Sequence, residues 1–312
     1  MVNGLALSVP HGFSGFMLVA LVSREPTATT NALAAVRIDG AELLHMTPLE
    51  ALARLGPGDV ALGRLDVKPT LDGVEDGLWA LGVLAARGVT VLNGPGALLA
   101  AHDKLLTARI LRRGGLPHPT TRLVRGDREG GLLPTPPVVV KPRHGSWGRS
   151  VTRCETEQEL TAELDRIRTE PWYLAHGALV QELVPPVGHD LRLVVAGDRM
   201  VGCVQRVAAE GEWRTNVALG AQRVPARAPL AAIQIALAAA NEIAATLVGV
   251  DLLPRDDGFV VLEVNGAVEF TADYRPDEDV FREAVVEILR AARHARAADD
   301  RRELAPSATA PI

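Results

Sequence analysis

A lysine at the end of an apolar run, followed closely by glycines, is the first feature of this chain that could do chemistry. Lys141 ends the run VVVK, and Gly145, Ser146 and Gly148 follow it. A buried ammonium is costly unless an anion meets it, and glycines let backbone N–H groups approach phosphate oxygens closely. The Walker A sequence GxxxxGK[ST] is absent. The unit therefore indicates either a triphosphate-binding loop or a hairpin turn with an incidental lysine.

A second feature is a pair of apolar runs, GVDLL and VVLEVN, that carry acidic residues and predict a hairpin. If the chain turns near 256–257, Asp251 lies almost opposite Glu263, and Glu263 shares one face with Asn265. Like charges set opposite each other destabilise a sheet unless a cation lies between them. Oxygen ligands without His or Cys favour Mg²⁺ held jointly with phosphates. The alternative is a solvated edge hairpin with scattered acids.

Arginines form a third group. Asp190 and Arg192 alternate onto one face of a predicted strand, and Arg206, Arg214 and Asn216 follow on the return strand and its loop. Several guanidiniums near carboxylate-bearing strands would stabilise an anionic transition state. Surface salt bridging is the competing explanation, because all but three of the 33 basic residues are arginines.

Lysine is rare, since Lys68, Lys104 and Lys141 are the three lysines of the chain. A lysine in so arginine-rich a sequence raises the question of whether a compact ammonium is needed where a planar guanidinium would not serve. Chance retention is the alternative. Lys68 has no role that the sequence suggests.

The elements expected to position these groups follow two patterns. From Met17 to about residue 100, apolar runs alternate with helical stretches, which is typical of a parallel α/β sheet. One helix is predicted from Pro95 through Lys104 to the Gly114-Gly115 pair. Beyond residue 178 the strands are longer, and the segments GDRM and PRDDG predict antiparallel hairpins. A last helix over 277–295 precedes a tail that we expect to be disordered.

Composition limits the class of protein. The chain has 312 residues, 47% of them hydrophobic and 23% charged, with a net charge of -5, which disfavours a disordered chain and a nucleic-acid binder. Cys154 and Cys203 lie far apart without a CxxC partner and give neither a disulfide framework nor a zinc site. The first apolar run lacks a basic segment before it and is too short to span a bilayer. We therefore expect a cytoplasmic protein without a membrane partner.

Together these motifs, with NGPGALLAAHDK, GLPHPTT, VQELVP and the run from Arg214 to Gly220, resemble the ATP-grasp superfamily, most closely the RimK-type amino-acid ligases. That family includes α-L-glutamate ligases and LysX-like ligases. The resemblance implies an α/β (α+β composite) ATP-grasp fold. Its expected parts are an N-terminal extension (1–16), an N-terminal parallel α/β domain (17–100), a lid subdomain (101–184), a C-terminal antiparallel-sheet catalytic domain (185–296) and a disordered tail (297–312).

The resemblance also implies roles for individual residues. The residues expected to bind ATP are Lys104 and Lys141 at the phosphates, Gly145, Ser146, Trp147 and Gly148 in the loop over them, Glu182 and Leu183 at the adenine, and Asp190 at the ribose. The residues expected to neutralise the transferring phosphoryl group are Arg192, Arg206 and Arg214, supported by Asn216. The residues expected to bind two Mg²⁺ ions, or Mn²⁺, are Asp251, Glu263 and Asn265.

The activity that the resemblance implies is an ATP-dependent carboxylate-amine ligase acting through an acyl phosphate. It would add an amino acid such as glutamate to a protein, peptide or small-molecule acceptor, and a homo-oligomer is possible. Two alternatives are a kinase that phosphorylates a hydroxyl and a catalytically silent nucleotide-binding regulator. The segments Asn265–Phe270 and Gly220-Ala221 depart from the usual glutamate-ligase pattern, which leaves the identity of the substrate open.

Overall fold

The computed structural model describes residues 16–126, 128–129 and 133–304, which form three β-sheets with helices packed on them. Sheet I is parallel, whereas sheets II and III are antiparallel. The predicted α/β class, parallel in its N-terminal part and antiparallel in its C-terminal part, is confirmed. Of the predicted N-terminal extension, residues 1–15 lie outside the described residues.

Sheet I contains the first strand that the sequence predicts, and its strand order is β2-β1-β3-β4. Strand β1 is almost wholly buried, in keeping with its apolar sequence MLVALV. A capping box between Thr47 and Glu50 begins the second helix. The elements of this part are β1 (Met17–Val22), α1 (Ala28–Ala35), β2 (Ala41–Met46), α2 (Pro48–Arg54), β3 (Val60–Gly63), α3 (Leu78–Ala86) and β4 (Thr90–Leu92).

The single helix predicted from Pro95 is two helices, α4 (Pro95–His102) and α5 (Lys104–Arg113). Asp103 separates them, because its carboxylate accepts hydrogen bonds from the backbone N–H groups of residues 105 and 106, at 3.1 and 3.2 Å, and so caps the second helix. Arg143 holds the same carboxylate through Nε at 2.7 Å. The prediction of one helix is wrong, and the break places Lys104 at the first position of α5.

Sheet II has the order β6-β5-β9-β7-β8, and its interior strand β7, between β9 and β8, is buried throughout. Helix α6 packs on it through Leu160 and Ile167. The elements of this part are β5 (Thr121–Arg125), β6 (Arg128–Glu129), β7 (Val138–Pro142), β8 (Thr152–Cys154), α6 (Glu157–Ile167), α7 (Pro171–His176) and β9 (Ala178–Glu182).

Sheet III has the order β12-β11-β10-β13-β14 and contains both predicted hairpins. Its elements are β10 (His189–Ala196), β11 (Arg199–Val207), β12 (Gln222–Pro225), α8 (Leu230–Glu242), β13 (Leu247–Arg255), β14 (Gly258–Asn265) and α9 (Val280–Leu304). Helix α9 continues past residue 297, where we expected a disordered tail to begin, since the sequence ARAADDRREL has few residues that oppose a helix. Residues 305–312 of that tail lie outside the described residues.

Sheets I and III share one hydrophobic core, in which Val19 and Leu21 of β1 belong to the same buried cluster as Val194 and Ile288. Asn93 strengthens this junction, because its Nδ2 donates to the Leu247 carbonyl at 2.7 Å and its Oδ1 accepts from the N–H of residue 246 at 2.7 Å. The predicted domain boundaries at residues 100 and 184 stay predictions. In the described part of the chain, none of the helices has the length and apolar character needed to cross a membrane.

Candidate active site

A cleft between sheets II and III collects most of the residues that the sequence singled out. We call it the first cavity. It is bounded by the ends of β7 and β9, the loop after β7, and strands β13 and β14. The residues predicted from the sequence that line this cavity are Lys104, Lys141, Gly145, Ser146, Trp147, Gly148, Glu182, Leu183, Arg206, Arg214, Asn216, Asp251 and Glu263.

A second cavity of about 290 Å³ adjoins the first. The predicted residues that line it are Ser146, Trp147, Arg192, Arg206, Asn216, Glu263 and Asn265. Five of these also line the first cavity, namely Ser146, Trp147, Arg206, Asn216 and Glu263. The two cavities therefore meet along one shared wall of polar and charged side chains.

Lys141 is the buried cation of the first cavity. It is the last but one residue of β7 and is only 6% exposed, and its Nζ donates a hydrogen bond to Gln181 Oε1 at 2.7 Å. Burial is the main cause that lowers the pKa of Lys141 to about 7, with Lys104 adding to it and Glu263 opposing it. An anion in this cavity would favour the charged ammonium, as a phosphate-binding lysine requires.

Lys104 lies beside it at the start of α5. Its Nζ is 2.8 Å from Glu263 Oε1 and also donates a short hydrogen bond to the Gly145 carbonyl. The break at Asp103 sets this position, and the Lys104 backbone N–H donates to the Arg143 carbonyl at 3.1 Å. Lys104 thus connects helix α5 with both the loop after β7 and strand β14.

The loop after β7 is held over the first cavity by Arg214. The guanidinium donates through Nη1 to the carbonyls of Gly148, at 3.0 Å, and Val151, at 3.3 Å. Glu212 fixes its other side, since Arg214 Nη2 lies 2.8 Å from Glu212 Oε2. Arg214 therefore clamps the loop and does not lie among the carboxylates of sheet III.

Gly148 has a conformation that a residue with a Cβ would disturb. Its φ is +71°, and an added Cβ would lie 2.8 Å from Asn216 Oδ1 and 2.9 Å from Leu219 Cδ1. We expect Gly148→Ala to raise the KM for ATP about tenfold, because left-handed strain of roughly 1–2 kcal/mol and this contact both displace the loop. Steady-state kinetics and thermal unfolding would measure it.

The matched control for that variant is Gly58→Ala. Gly58 has φ +91° with nothing within 4 Å of an added Cβ, so it carries similar backbone strain far from both cavities. Gly58→Ala should therefore leave the KM for ATP unchanged, and an equal rise in the two variants would show that displacement of the loop after β7 is not the cause.

Charged side chains form a network on one face of sheet III. Asp251 pairs with Glu263 in the register, as the sequence predicts. Arg192 binds the Asp251 carboxylate with two hydrogen bonds of 2.6 Å, and Arg206 Nη2 lies 2.9 Å from Asp251 Oδ2. Burial raises the pKa of Asp251, but these guanidiniums outweigh it and hold the pKa at about 2. Asp251 is therefore ionised whenever the protein is folded near neutral pH.

Asp190 does not lie where the resemblance implies. It is fully buried and absent from the lining of both cavities. Arg206 Nε donates to its Oδ1 at 2.8 Å, and the Thr215 hydroxyl donates to its Oδ2 at 2.6 Å. The structure does not support the expected contact with ribose, because the carboxylate is occupied in orienting Arg206.

The residues expected to bind metal ions offer only oxygen donors, from two carboxylates and one amide. Glu263 and Asn265 both line the second cavity, and the buried Asn265 Nδ2 has no hydrogen-bond partner among the described residues, so its amide can turn an oxygen towards a cation. No cluster of three or more His, Cys, Asp and Glu that could hold a metal ion occurs within residues 16–126, 128–129 and 133–304. Two carboxylates with one amide fit a hard divalent cation.

The predicted adenine contacts lie where β9 leaves sheet II. Glu182 and Leu183 both line the first cavity. Glu182 Oε2 accepts a hydrogen bond from the Thr120 N–H at 3.2 Å, and the Leu183 N–H donates to the Pro137 carbonyl at 3.2 Å. These bonds fix the rim of the cavity, and the contact with adenine itself stays a prediction.

Three supporting side chains were missed in the sequence. Gln181 holds Lys141, Thr215 holds Asp190, and Glu212 holds Arg214. Gln181 had a detectable signal, because it is a polar residue inside the otherwise apolar strand ALVQE and a buried amide needs a partner. Lys68 forms an ion pair with Asp76 and lines neither of the two cavities.

One family model and several known proteins are similar to this chain. A family model described as the RimK-like ATP-grasp domain matches residues 101–277. The alpha-aminoadipate–LysW ligase LysX of Saccharolobus solfataricus is 31% identical over 188 residues, covering 59% of this chain and 68% of that protein. A probable alpha-L-glutamate ligase of Stenotrophomonas maltophilia is 30% identical over 270 residues, covering 80% of this chain and 90% of that protein.

A solved structure has the same fold. The RimK domain protein ATP-grasp from Sphaerobacter thermophilus superposes with a TM-score of 0.61 over 87% of this chain and 99% of that chain, at 22% identity. This likeness concerns the fold, and the predicted ATP-grasp fold is confirmed by it.

Proposed function

The chain belongs to the RimK-like ATP-grasp family, whose relatives here are named as amino-acid ligases, and from that premise we propose that it joins an amine to a carboxylate through an acyl phosphate. The incoming amine is that of an amino acid such as glutamate, and the acceptor is a protein, a peptide or a small molecule. The ligase names of the relatives favour this activity over the kinase and the silent regulator.

The observation that carries the proposal is the wall shared by the two cavities. A triphosphate bound with its phosphates near Lys104 and Lys141 would lie in the same cavity as Arg206, Asn216 and Glu263, which belong to the wall shared with the second cavity. The second cavity begins at those same residues and offers room for a second molecule. A phosphoryl group can therefore be transferred from a molecule in one cavity to a molecule in the other across this wall.

In the first step, an oxygen of the acceptor carboxylate attacks the γ-phosphorus and the bond to the ADP oxygen breaks, which gives ADP and an acyl phosphate. Lys104 and Lys141 hold the phosphates, and Arg206 stands at the shared wall to balance the charge that develops on the transferring oxygens. Asp190 and Asp251 keep the Arg206 guanidinium in place.

In the second step, the amine nitrogen attacks the acyl carbon, the bond to phosphate breaks, and the amine loses a proton as the amide forms. Arg192 lines the second cavity and is fixed by its two bonds to Asp251. The site contributes mainly positioning and charge neutralisation.

The residues fit divalent cations, and the ones that would hold two Mg²⁺ or Mn²⁺ ions are Asp251, Glu263 and Asn265. When bound, such ions neutralise phosphate oxygens and polarise the group that is transferred. Asp251 would contribute while still bonded to Arg192 and Arg206, since a carboxylate has about four lone-pair sites and these guanidiniums do not occupy all of them.

The test is an assay of ADP release with Mg²⁺ and ATP across pairs of amino acids and acceptor carboxylates, with mass spectrometry of the products. The expected product has the combined mass of the two substrates less one water, with one ADP and one phosphate per amide. A phosphorylated alcohol among the products would favour a kinase. The absence of ADP release with every pair tested would contradict the ligase activity.

A further inference from the structure

The second cavity is lined by three carboxylates and three guanidiniums, and most of them already have a partner. The carboxylates are Asp66, Glu263 and Glu269, and the guanidiniums are Arg192, Arg206 and Arg223. Glu263 pairs with Lys104 at 2.8 Å, and Glu269 pairs with Arg64 at 2.9 Å. Arg192 and Arg206 pair with Asp251. One cation and one anion are left over.

The unpaired cation is Arg223 on the edge strand β12. Within the described part of the chain it has no carboxylate within 4.0 Å, and its one side-chain hydrogen bond, from Nη1 to Thr271 Oγ1, is long at 3.4 Å. In the register Arg223 lies directly opposite Arg206. Like charges opposite each other are unfavourable, so a free guanidinium at this position is suited to an incoming anion.

The unpaired anion is Asp66, in the segment that follows β3. Its side chain is 41% exposed, and its nearest basic atom, His102 Nδ1, lies at 3.7 Å, beyond hydrogen-bond distance. Among the described residues, its Oδ1 accepts a hydrogen bond only from the N–H of Val67, at 2.7 Å. The second cavity therefore has one open negative and one open positive group, which suits a ligand that carries both charges and disfavours a plain dianion.

We propose that Arg223 is a specificity-determining residue that binds the α-carboxylate of the incoming amino acid, a group that the reaction does not consume. Asp66 faces the amine end of the same molecule. The inference rests on the proposed function, because it assigns the second cavity to the amine substrate of that ligase. A guanidinium binds a carboxylate through two parallel N–H groups, so the site distinguishes a free carboxylate from a carboxamide.

The test compares L-glutamate and L-2-aminoadipate with their α-carboxamides, in binding and in turnover. Calorimetry with Mg²⁺ and a non-hydrolysable ATP analogue measures affinity, and ADP release with an acceptor carboxylate measures kcat and KM. In the unmodified protein the free acids are expected to bind about 10- to 100-fold more tightly than the amides, the range of a charge-assisted hydrogen bond. In Arg223→Ala this ratio should fall towards one, with KM changed far more than kcat.

Matched variants separate recognition from general charge effects. Arg227→Ala removes an exposed arginine from the same segment, outside the second cavity, and should leave the ratio unchanged. Arg223→Lys should restore part of the ratio, because it keeps the charge but not the fork. Asp66→Asn should weaken the binding of the amino acids and strengthen the binding of glutarate, which lacks the amine. Strand β12 is exposed along its whole length, so these changes at Arg223 should not unfold the protein.

The outcomes distinguish this inference from the proposed function. An unchanged acid-to-amide ratio in Arg223→Ala, or the absence of binding by any of these amino acids, overturns the inference. The absence of ADP release with all substrates, while the amino acids still bind through Arg223, contradicts the ligase activity and leaves the recognition site standing.

Discussion

Replacing Glu263 by glutamine is expected to lower ATP turnover about a thousandfold while the fold stays intact. A carboxylate that helps to hold a catalytic cation supports several kcal/mol of transition-state stabilisation, and each 1.36 kcal/mol corresponds to about tenfold in rate. Glu263 stands on the wall shared by the two cavities, and its side chain is 20% exposed. Glutamine keeps the shape of the side chain and removes its charge, so the turnover rate should fall while the stability of the fold is retained.

The measurement is steady-state ADP release over a range of Mg²⁺ concentrations, together with urea unfolding. The control is Asp256→Asn, which removes a carboxylate from the exposed turn of the same hairpin and should change neither rate nor stability. Retention of activity within about tenfold in Glu263→Gln would remove this residue from the site.

A variant at Asp251 would test the metal-binding role less directly than a variant at Glu263. It is 2% exposed and bonded to both Arg192 and Arg206. Removing one member of a buried ionic group leaves uncompensated charges and typically costs about 3–5 kcal/mol. A loss of activity in an Asp251 variant would therefore mix chemistry with unfolding, whereas Glu263 has one ionic partner, Lys104, at the edge of a cavity.

Much of the fold and part of the site follow from local patterns. A two-residue turn at 256–257 predicts that Asp251 lies opposite Leu262, one position from Glu263, so the spacing alone places the two carboxylates close together. A register shift between Asp251 and Leu252 then makes Glu263 the direct partner of Asp251, and the spacing does not indicate that shift. The strand that contains Lys141 is also indicated locally, because the apolar run VVV before it is typical of a strand covered on both faces. Short-range periodicity is sufficient wherever one strand and its turn decide the geometry.

The rest depends on contacts between segments distant in the chain. Asp103 caps α5 locally, but Arg143, forty residues away, holds the same carboxylate in place and joins the break to the loop after β7. Asp190 turns towards Arg206 and Thr215 and away from the first cavity. Asn93 joins sheets I and III through backbone groups that have no sequence signature. A carboxylate in the sequence indicates a charge, but only its partner determines whether it faces a ligand or a guanidinium.

Lys141, one of the three lysines of the chain, is expected to make ATP affinity depend strongly on pH. With a pKa of about 7, the Lys141 side chain of the nucleotide-free protein is largely the neutral amine at pH 8. A bound triphosphate favours the charged form and raises that pKa, so binding takes up a proton whenever the pH exceeds 7. ATP affinity is therefore expected to weaken as the pH rises from about 7 towards 9, by up to tenfold per pH unit from this group.

Lys141→Arg should remove this pH dependence and weaken ATP binding about 10- to 100-fold at pH 7. A guanidinium stays charged throughout the range, but its planar fork does not fit the 6% exposed position where Nζ donates to Gln181. Calorimetry at pH 8 in buffers of different ionisation enthalpy should give nearly one proton taken up per ATP in the unmodified protein and about one fewer in the variant. Lys68→Arg, at a lysine paired with Asp76 outside both cavities, should match the unmodified protein. Equal proton uptake in the two proteins that differ at Lys141 would mean that this ammonium is not the group that meets the phosphates.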